Sequence, residues 1–325
     1  MRNASAVMGA GANRAGRDAT SLPESKGLPS QTGRSARCRG MIQPRRLDHA
    51  PRPSSQSHAS LQLLSRLSII LITKNEASNI EACLRSVAFA DEIVVVDSGS
   101  TDGTVEIARR LGARVEITPD WPGFGLQKNR ALALASHPWV LSIDADERVT
   151  PALQAEIQAV VHGGGETGAW EIPRLTQFCG QWIHHCGWTP DHVLRLFRRE
   201  AARFSDDLVH ERVLVQGGAV GRLKTSLLHY SYPTPSHYWR KLEQYSQAWA
   251  QQRHQAGQRT SMSRAVAAGV VAFIRGYLFR LGILDGAMGF AVCTMQAQAA
   301  FGKYFALYCL NRKNDPSSDT FPPSA

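Results

Sequence analysis

Asp144-Ala145-Asp146-Glu147 directly follows the apolar run Trp139-Val140-Leu141-Ser142-Ile143. Carboxylates crowded at the end of a buried strand repel one another, which raises the pKa of at least one. A divalent cation removes that conflict. Mg2+ or Mn2+ takes a few carboxylates and completes its shell with water and phosphate oxygens. Open α/β sheets also place their ligand crevices at the carboxyl ends of strands. An Asp-x-Asp triplet equally fits a solvated strand-to-helix turn, so the elements around it must decide.

Those elements alternate. Residues 67–73 form a continuous apolar run of strand length, and Ile80, Cys83, Leu84 and Val87 then recur at helical spacing. Residues 92–97 are β-branched and apolar until the final Asp97, as in a sheet covered on both faces. A turn at 98–103 leads to a helix carrying Val105, Ile107, Ala108 and Leu111, closed by Gly112. A strand at 114–118, a helix at 126–135 and a strand at 139–143 follow. Short loops between alternating strands and helices predict an α/β fold built on a parallel, right-handed sheet.

After Thr150 the pattern changes to a helix at 151–161 and mixed strands at 170–173, 192–198 and 212–215. Beyond His229 the chain reads as helical. Tyr238, Leu242, Tyr245 and Trp249 share one face, read as core packing, with Ser236 as the expected N-cap. Residues 265–308 are apolar and aromatic but interrupted by Arg275, Arg280, Asp285 and Lys303. No uncharged stretch there reaches the ~18–20 residues of a spanning helix. The segment fits a helix pair lying in a membrane interface, or a helical cap on the sheet domain.

Of 325 residues, 43% are hydrophobic and 20% charged, ordinary values for a globular protein. Residues 1–65 hold ten Lys and Arg against three Asp and Glu, which accounts for +7 of the net +10. The excess therefore sits mainly in a Ser-, Gly-, Arg- and Pro-rich tail, expected to be disordered, and a nucleic-acid partner is not expected. No apolar signal core is legible in the tail, so export is not expected, and Met41 is a second candidate start. The six cysteines are scattered, and a zinc site at Cys179, His184, His185 and Cys186 lacks any paired Cys-x-x-Cys spacing. A reducing compartment fits best.

Three strand ends carry the chemistry: Thr73-Lys74-Asn75-Glu76, Asp97-Ser98-Gly99-Ser100-Thr101-Asp102-Gly103-Thr104, and Asp144-Ala145-Asp146. In this order they resemble family 2 glycosyltransferases of the GT-A fold. Pro190-Asp191, Arg195-Leu196-Phe197-Arg198-Arg199, Val209-His210-Glu211, His229-Tyr230-Ser231-Tyr232 and Gly282–Gly289 extend the resemblance. With them the chain looks like lipopolysaccharide core β-1,4-glucosyltransferases that act on inner-core heptose. The resemblance covers about residues 66–312 and implies a Rossmann-like, mostly parallel GT-A domain over 66–232. A helical, membrane-associating, acceptor-side region then spans 233–325 and has a disordered end. It further implies UDP-glucose as donor, Mg2+ or Mn2+, a lipid-anchored oligosaccharide acceptor and a peripheral place on the cytoplasmic face of the bacterial inner membrane. The alternatives are a polyprenyl-phosphate or other envelope acceptor and a non-catalytic lipid-binding protein.

By that resemblance Thr73, Asn75, Glu76, Asp97 and Ser98 line the nucleotide pocket, and Asp97 accepts from the uracil ring. Asp97 also suits a turn-forming role, and Asp102 suits helix capping. Asp146, with Asp144 on the metal shell or the ribose, offsets charge on the departing diphosphate. His229 is a third metal ligand, a diphosphate contact or a structural histidine. Lys128, with Arg130 as its alternative, and Arg195 are basic candidates for the donor phosphates. Strand alternation puts Arg195 and Arg199 on one face and Arg198 on the other. An inverting displacement needs a base for the acceptor hydroxyl. Asp191, Asp206, Asp207 and Glu211 are the candidates. The family's His-Glu pair favours Glu211, oriented by His210, with Asp191 next; a cross-strand pair of Glu211 with Arg195 or Arg198 is the structural reading.

Overall fold

The computed structural model describes residues 65–163, 165, 167–205 and 211–313. The tail, His210, Asp206, Asp207 and the end of the chain lie outside them. Strands β1 (Leu67–Thr73) and β2 (Glu92–Asp97) pair in parallel, with Thr73 beside Asp97 at their carboxyl ends. Strands β3 (Arg114–Ile117) and β4 (Trp139–Ser142) complete the parallel part, giving the local order β3-β2-β1-β4. Every residue of β1 is buried, and its side chains divide between two cores. Ile69 and Leu71 meet α1 (Ala77–Ser86) and α4 (Pro151–His162), whereas Ile70 and Ile72 meet α3 (Phe124–Leu134). Coverage on both faces is why the strand reads as an unbroken apolar run. Helix α2 (Thr104–Arg110) packs beside α1, and Thr150 caps α4 by accepting from the Leu153 N–H at 3.2 Å.

Beyond β4 the pairing becomes mixed. Strand β8 (Asp191–Arg198) runs antiparallel to β4 and to β6 (Ala169–Phe178). The short strands β5 (Glu147–Arg148), β7 (Gln181–Ile183), β11 (Val220–Arg222) and β12 (Leu227–Tyr232) complete this sheet. Strands β9 (Ala202–Phe204) and β10 (Val213–Val215) pair separately. A largely parallel sheet that turns mixed past the second acidic strand end is the GT-A architecture expected from the sequence. Strand β6 extends five residues past its expected end, because Arg174 and Thr176 are buried among polar partners that the apolar pattern does not show.

Helix α5 (Pro235–Gln255) has Thr234 at its N-cap position in place of the expected Ser236, since Pro235 has the fixed φ suited to a first helical residue. Helix α7 (Gly286–Lys313) packs on both α6 (Met262–Ile274) and α5. Residues Met262–Phe279 form one helical stretch, with a π-turn at Arg275–Phe279, that by length and composition could cross a bilayer despite Arg264 and Arg275.

Candidate functional site

Three neighbouring strand ends converge as their spacing predicts. Thr73 donates from Oγ1 to Asp97 Oδ2 at 2.8 Å, and Ser100 donates to Asp97 from both its N–H, at 2.7 Å, and its Oγ, at 2.5 Å. Asn75 sits at φ 56°, a left-handed conformation that asparagine tolerates. There its N–H donates to Ser100 Oγ and its Oδ1 accepts from the Thr101 N–H, which ties the first strand end to the second. The Glu76 N–H donates to Thr104 Oγ1, and its carboxylate accepts from Asn79. Asp102 accepts from the Thr104 N–H at the start of α2 and from the Ala77 N–H at the start of α1, so it caps two helices.

Helix α3 brings polar groups into this rim on its buried face. Phe124, Gln127, Lys128 and Ala131 are all buried and fall at the spacing of one helix stripe. Gln127 donates to Ser98 Oγ at 3.0 Å and to Thr118 Oγ1 at 2.6 Å. Sequence reasoning missed Gln127, although its place on one stripe with Phe124, Lys128 and Ala131 is a legible signal. The same stripe separates Lys128, which points inward, from Arg130, which pairs with Asp120 at 2.7 Å on the surface. Close approach of α3 to Ser205 and Glu211 depends on Gly125, where a Cβ would lie 1.8 Å from the Ser205 carbonyl oxygen and 3.5 Å from Glu211 Cβ.

Lys128 Nζ lies 2.8 Å from Glu211 Oε1 and 3.2 Å from Asp144 Oδ1. It therefore bridges the first acid of the Asp-x-Asp triplet to the foremost candidate base. The network continues. Arg195 Nη2 lies 2.6 Å from Asp144 Oδ2 and 2.7 Å from Glu147 Oε1, and Arg174 Nη1 lies 3.5 Å from that same oxygen. Arg174 stands opposite Asp191 in the β6–β8 register and donates to its carboxylate through Nε at 3.1 Å and through Nη2. Asp191, Arg174, Glu147, Arg195, Asp144, Lys128 and Glu211 thus alternate in sign from one candidate base to the other. Buried ions persist only when paired, and alternation pairs every one of them.

Burial pushes the Asp144 carboxyl up, but Arg195 and Lys128 outweigh it and hold it well below the usual carboxylate range. Burial lowers the Arg195 guanidinium, and Asp144 and Glu147 more than restore it, leaving it raised. Asp146 follows the same logic: burial raises it, and His229 beside it brings it below the usual value. Its Oδ2 lies 3.5 Å from His229 Nε2, while its Oδ1 is buried without a hydrogen-bond partner. His229 Nδ1 faces Thr176 Oγ1 at 3.3 Å.

Several expected residues sit in unexpected company. Glu211 pairs with Lys128 on a helix, not with Arg195 or Arg198 across strands. Arg195, expected at donor phosphates, has Nη2 committed to Asp144 and Glu147, and its Nε is buried without a partner. Asp144, expected on the metal shell, has a cation beside each oxygen. Arg198 stacks over the Trp139 ring at 4.2 Å, and Arg199 donates to the Ala135 carbonyl, so the three arginines have separate roles. Arg174 escaped sequence reasoning, and Glu147 reads from the sequence only as one of the crowded carboxylates, without its arginine partners. Among the described residues no three His, Cys, Asp or Glu side chains form a preformed metal cluster. The unpartnered Asp146 oxygen beside His229 nevertheless fits a hard cation that shares its remaining positions with phosphate and water.

Residues 68–209 match the sequence family described as Glycosyl transferase family 2. The lipopolysaccharide core biosynthesis glycosyltransferase LpsC of Rhizobium meliloti is 33% identical over 248 residues, covering 72% of this chain and 89% of that protein. The chain belongs to glycosyltransferase family 2. An uncharacterized glycosyltransferase of Rickettsia conorii is 30% identical over 79% of this chain and 95% of its own length. Among solved structures, a mannosyltransferase of Pyrobaculum calidifontis in complex with GDP-Man and Mn2+ is similar at a TM-score of 0.46 and 19% identity, covering 75% of this chain and 87% of that one. As a family 2 glycosyltransferase the chain is an enzyme, and its strand-end acids lie inside the segment that defines the family.

Proposed function

We propose that this family 2 transferase moves glucose, with inversion, from UDP-glucose to heptose of the lipopolysaccharide inner core. It works as a peripheral protein on the cytoplasmic face of the bacterial inner membrane. The carrying observation is the convergence of Thr73, Asp97, Asp144 and Asp146 at three adjacent strand ends, with Lys128 joining them to Glu211. Similarity to LpsC along 89% of its length supports a core-oligosaccharide acceptor.

Sugar transfer develops positive charge at the anomeric carbon and negative charge on the departing diphosphate. Asp146 and His229 would hold a divalent cation, which when bound offsets the diphosphate charge. Thr73, Asn75, Glu76 and Ser98 shape the nucleotide rim around Asp97. Asp97 accepts three hydrogen bonds from Thr73 and Ser100, and a carboxylate has about four such positions, so one remains for a ring N–H of the base. Lys128 holds Glu211 in place as the proton acceptor for the incoming hydroxyl. Asp191, a quarter exposed at the other end of the network, is the second candidate carboxylate.

A donor screen with purified protein, Mn2+ and heptose-terminated, lipid-anchored core acceptors tests the proposal. Transfer of glucose from UDP-glucose is the expected product. Transfer of another hexose, transfer only to a polyprenyl phosphate, or binding without turnover would each replace it.

A further inference from the structure

Charge is divided sharply along the chain. Residues 65–234 carry 17 Lys and Arg against 20 Asp and Glu, whereas residues 235–313 carry ten against two. One of those two acids, Asp285, is buried. The basic surplus of the described chain therefore belongs entirely to the helical region. The same region holds the main concentration of exposed large apolar side chains among the described residues. Between the end of α6 and the first turns of α7 lies a tip on which Leu278, Phe279, Leu281, Ile283, Leu284 and Phe290 are all at least half exposed, Phe279 at 77%. Arg275 and Arg280 are exposed on the same tip. An apolar groove of about 390 Å³ between α6 and α7, lined by Val266, Val270, Phe273, Ile274 and Phe301 among others, adjoins it.

This tip is built, not loose. A Cβ on Gly289 would lie 1.9 Å from the Gly282 carbonyl oxygen, and one on Gly282 would lie 2.7 Å from Cys293 Sγ, so the turn closes tightly. Leu281 holds a left-handed φ of 55°. Asp285 then fastens the tip to the sheet. Its carboxylate accepts from the His185 N–H at 2.8 Å, from the His184 N–H at 3.3 Å and from Cys186 Sγ at 3.6 Å, and faces His185 Nδ1 at 2.9 Å. The Cys186 N–H also donates to the Arg280 carbonyl at 3.0 Å. The fastened segment 184–190 runs directly into Asp191, at one end of the charged network.

We propose that residues 274–290 form a wedge that inserts into an anionic phospholipid surface, with Asp285 as the latch that transmits its position to the acceptor side of the site. The inference rests on the lipid-anchored-acceptor reading above and names the contact surface that serves it. Basic side chains flanking exposed aromatic and aliphatic groups fit the headgroup boundary of an anionic bilayer. Within the wedge the cations are Arg275 and Arg280 and the one acid, Asp285, is buried, so a purely apolar protein partner would offer neither arginine a counter-charge.

The test uses the full chain and vesicles of phosphatidylcholine with or without phosphatidylglycerol, without substrates. Flotation with phosphatidylglycerol vesicles is expected, with weakening in high salt. The double variants Phe279→Asp/Leu284→Asp and Arg275→Glu/Arg280→Glu should each weaken that binding by at least about tenfold. Both should leave UDP-sugar hydrolysis unchanged. Asp285→Asn should float like the unaltered protein yet transfer several-fold less to a lipid-anchored acceptor, with hydrolysis again unchanged. Equal binding to both vesicle types, full binding by the tip variants, or a dimer in light scattering that the Phe279→Asp/Leu284→Asp chain no longer forms would overturn the wedge. A wrong donor or acceptor assignment would change the turnover assays and leave the vesicle results standing.

Discussion

At the strand ends seven charged side chains lie largely buried in alternating sign, whereas along α6 and the tip after it large apolar side chains face outward. Each region inverts the usual partition, and each inversion has a cost. A buried ion network is seldom more stable than a well-packed apolar substitute. An extended exposed apolar patch invites association. Folding alone would select neither. On the two proposals above, the regions meet different partners: a polyanionic, directional ligand at the strand ends, and a non-directional apolar one at the tip. Asp285 and the 184–190 segment physically connect them.

The sharpest way to break this contrast is to remove Asp146, whose Oδ1 is buried without a hydrogen-bond partner. Asp146→Ala should lower turnover by about a thousandfold or more, since the stabilisation of the leaving group is lost. Chelator-treated protein should behave likewise in single-turnover assays. Full activity in either would end the assignment of Asp146. Glu211→Gln comes next, with kcat falling by about 10²- to 10⁴-fold and UDP affinity by calorimetry nearly unchanged. An unaltered kcat would move the proton acceptor to Asp191, which Asp191→Asn then examines.

Breaking the network without touching its ends should appear as stability. Arg195→Met leaves Asp144 and Glu147 facing each other with less compensation and should cost about 3–5 kcal/mol in urea unfolding. A loss no larger than that of a surface substitution would mean that the ions are already hydrated in the folded chain.

How much of this was legible beforehand follows from distance along the chain. Thr73, Asp97 and Asp144 end apolar runs, so their convergence needed only the rule that parallel strands align their carboxyl ends. Lys128 could be separated from Arg130 by the stripe it shares with Phe124 and Ala131. Glu147 and Arg174 could not be found that way. Each looks like an ordinary charged residue in a turn or strand, and its partner lies far along the chain: Glu147 with Arg195, 48 positions on, and Arg174 with Asp191, 17 positions on. Pairing made their burial possible, and pairing across strands is not encoded in local periodicity. The same blindness shortened β6. Net charge misled differently, because the small sum over residues 66–325 hides a slightly acidic sheet domain and a clearly basic helical region.

Acid should separate the regions as well. The folded values of Asp144 and Asp146 lie below their unfolded ones, so both stabilise the chain above the unfolded value of about 3.9. That contribution is lost as pH falls through the folded values, when the unfolded chain has already bound its protons. Urea midpoints should therefore hold steady from neutrality to about pH 5 and decline below about pH 4. Without Arg195, Asp144 loses the largest charge that keeps it ionised, so the acid decline should be shallower in Arg195→Met. Parallel declines in the two proteins would sink that account.

The smallest effect is expected where the apolar side chains are most exposed. Phe279 and Leu284 leave little surface to lose, so replacing both with Asp should change unfolding free energy by no more than about 0.5 kcal/mol. An Asp at either position meets water and a surplus of positive charge, which together remove the usual penalty for a charged residue. Set beside Arg195→Met, this reverses the ordinary expectation that charge is harmless on a protein and apolar groups hold it together. A large destabilisation from the tip variant would show that these side chains pack against the described fold, and the outward-facing half of the contrast would fail with them.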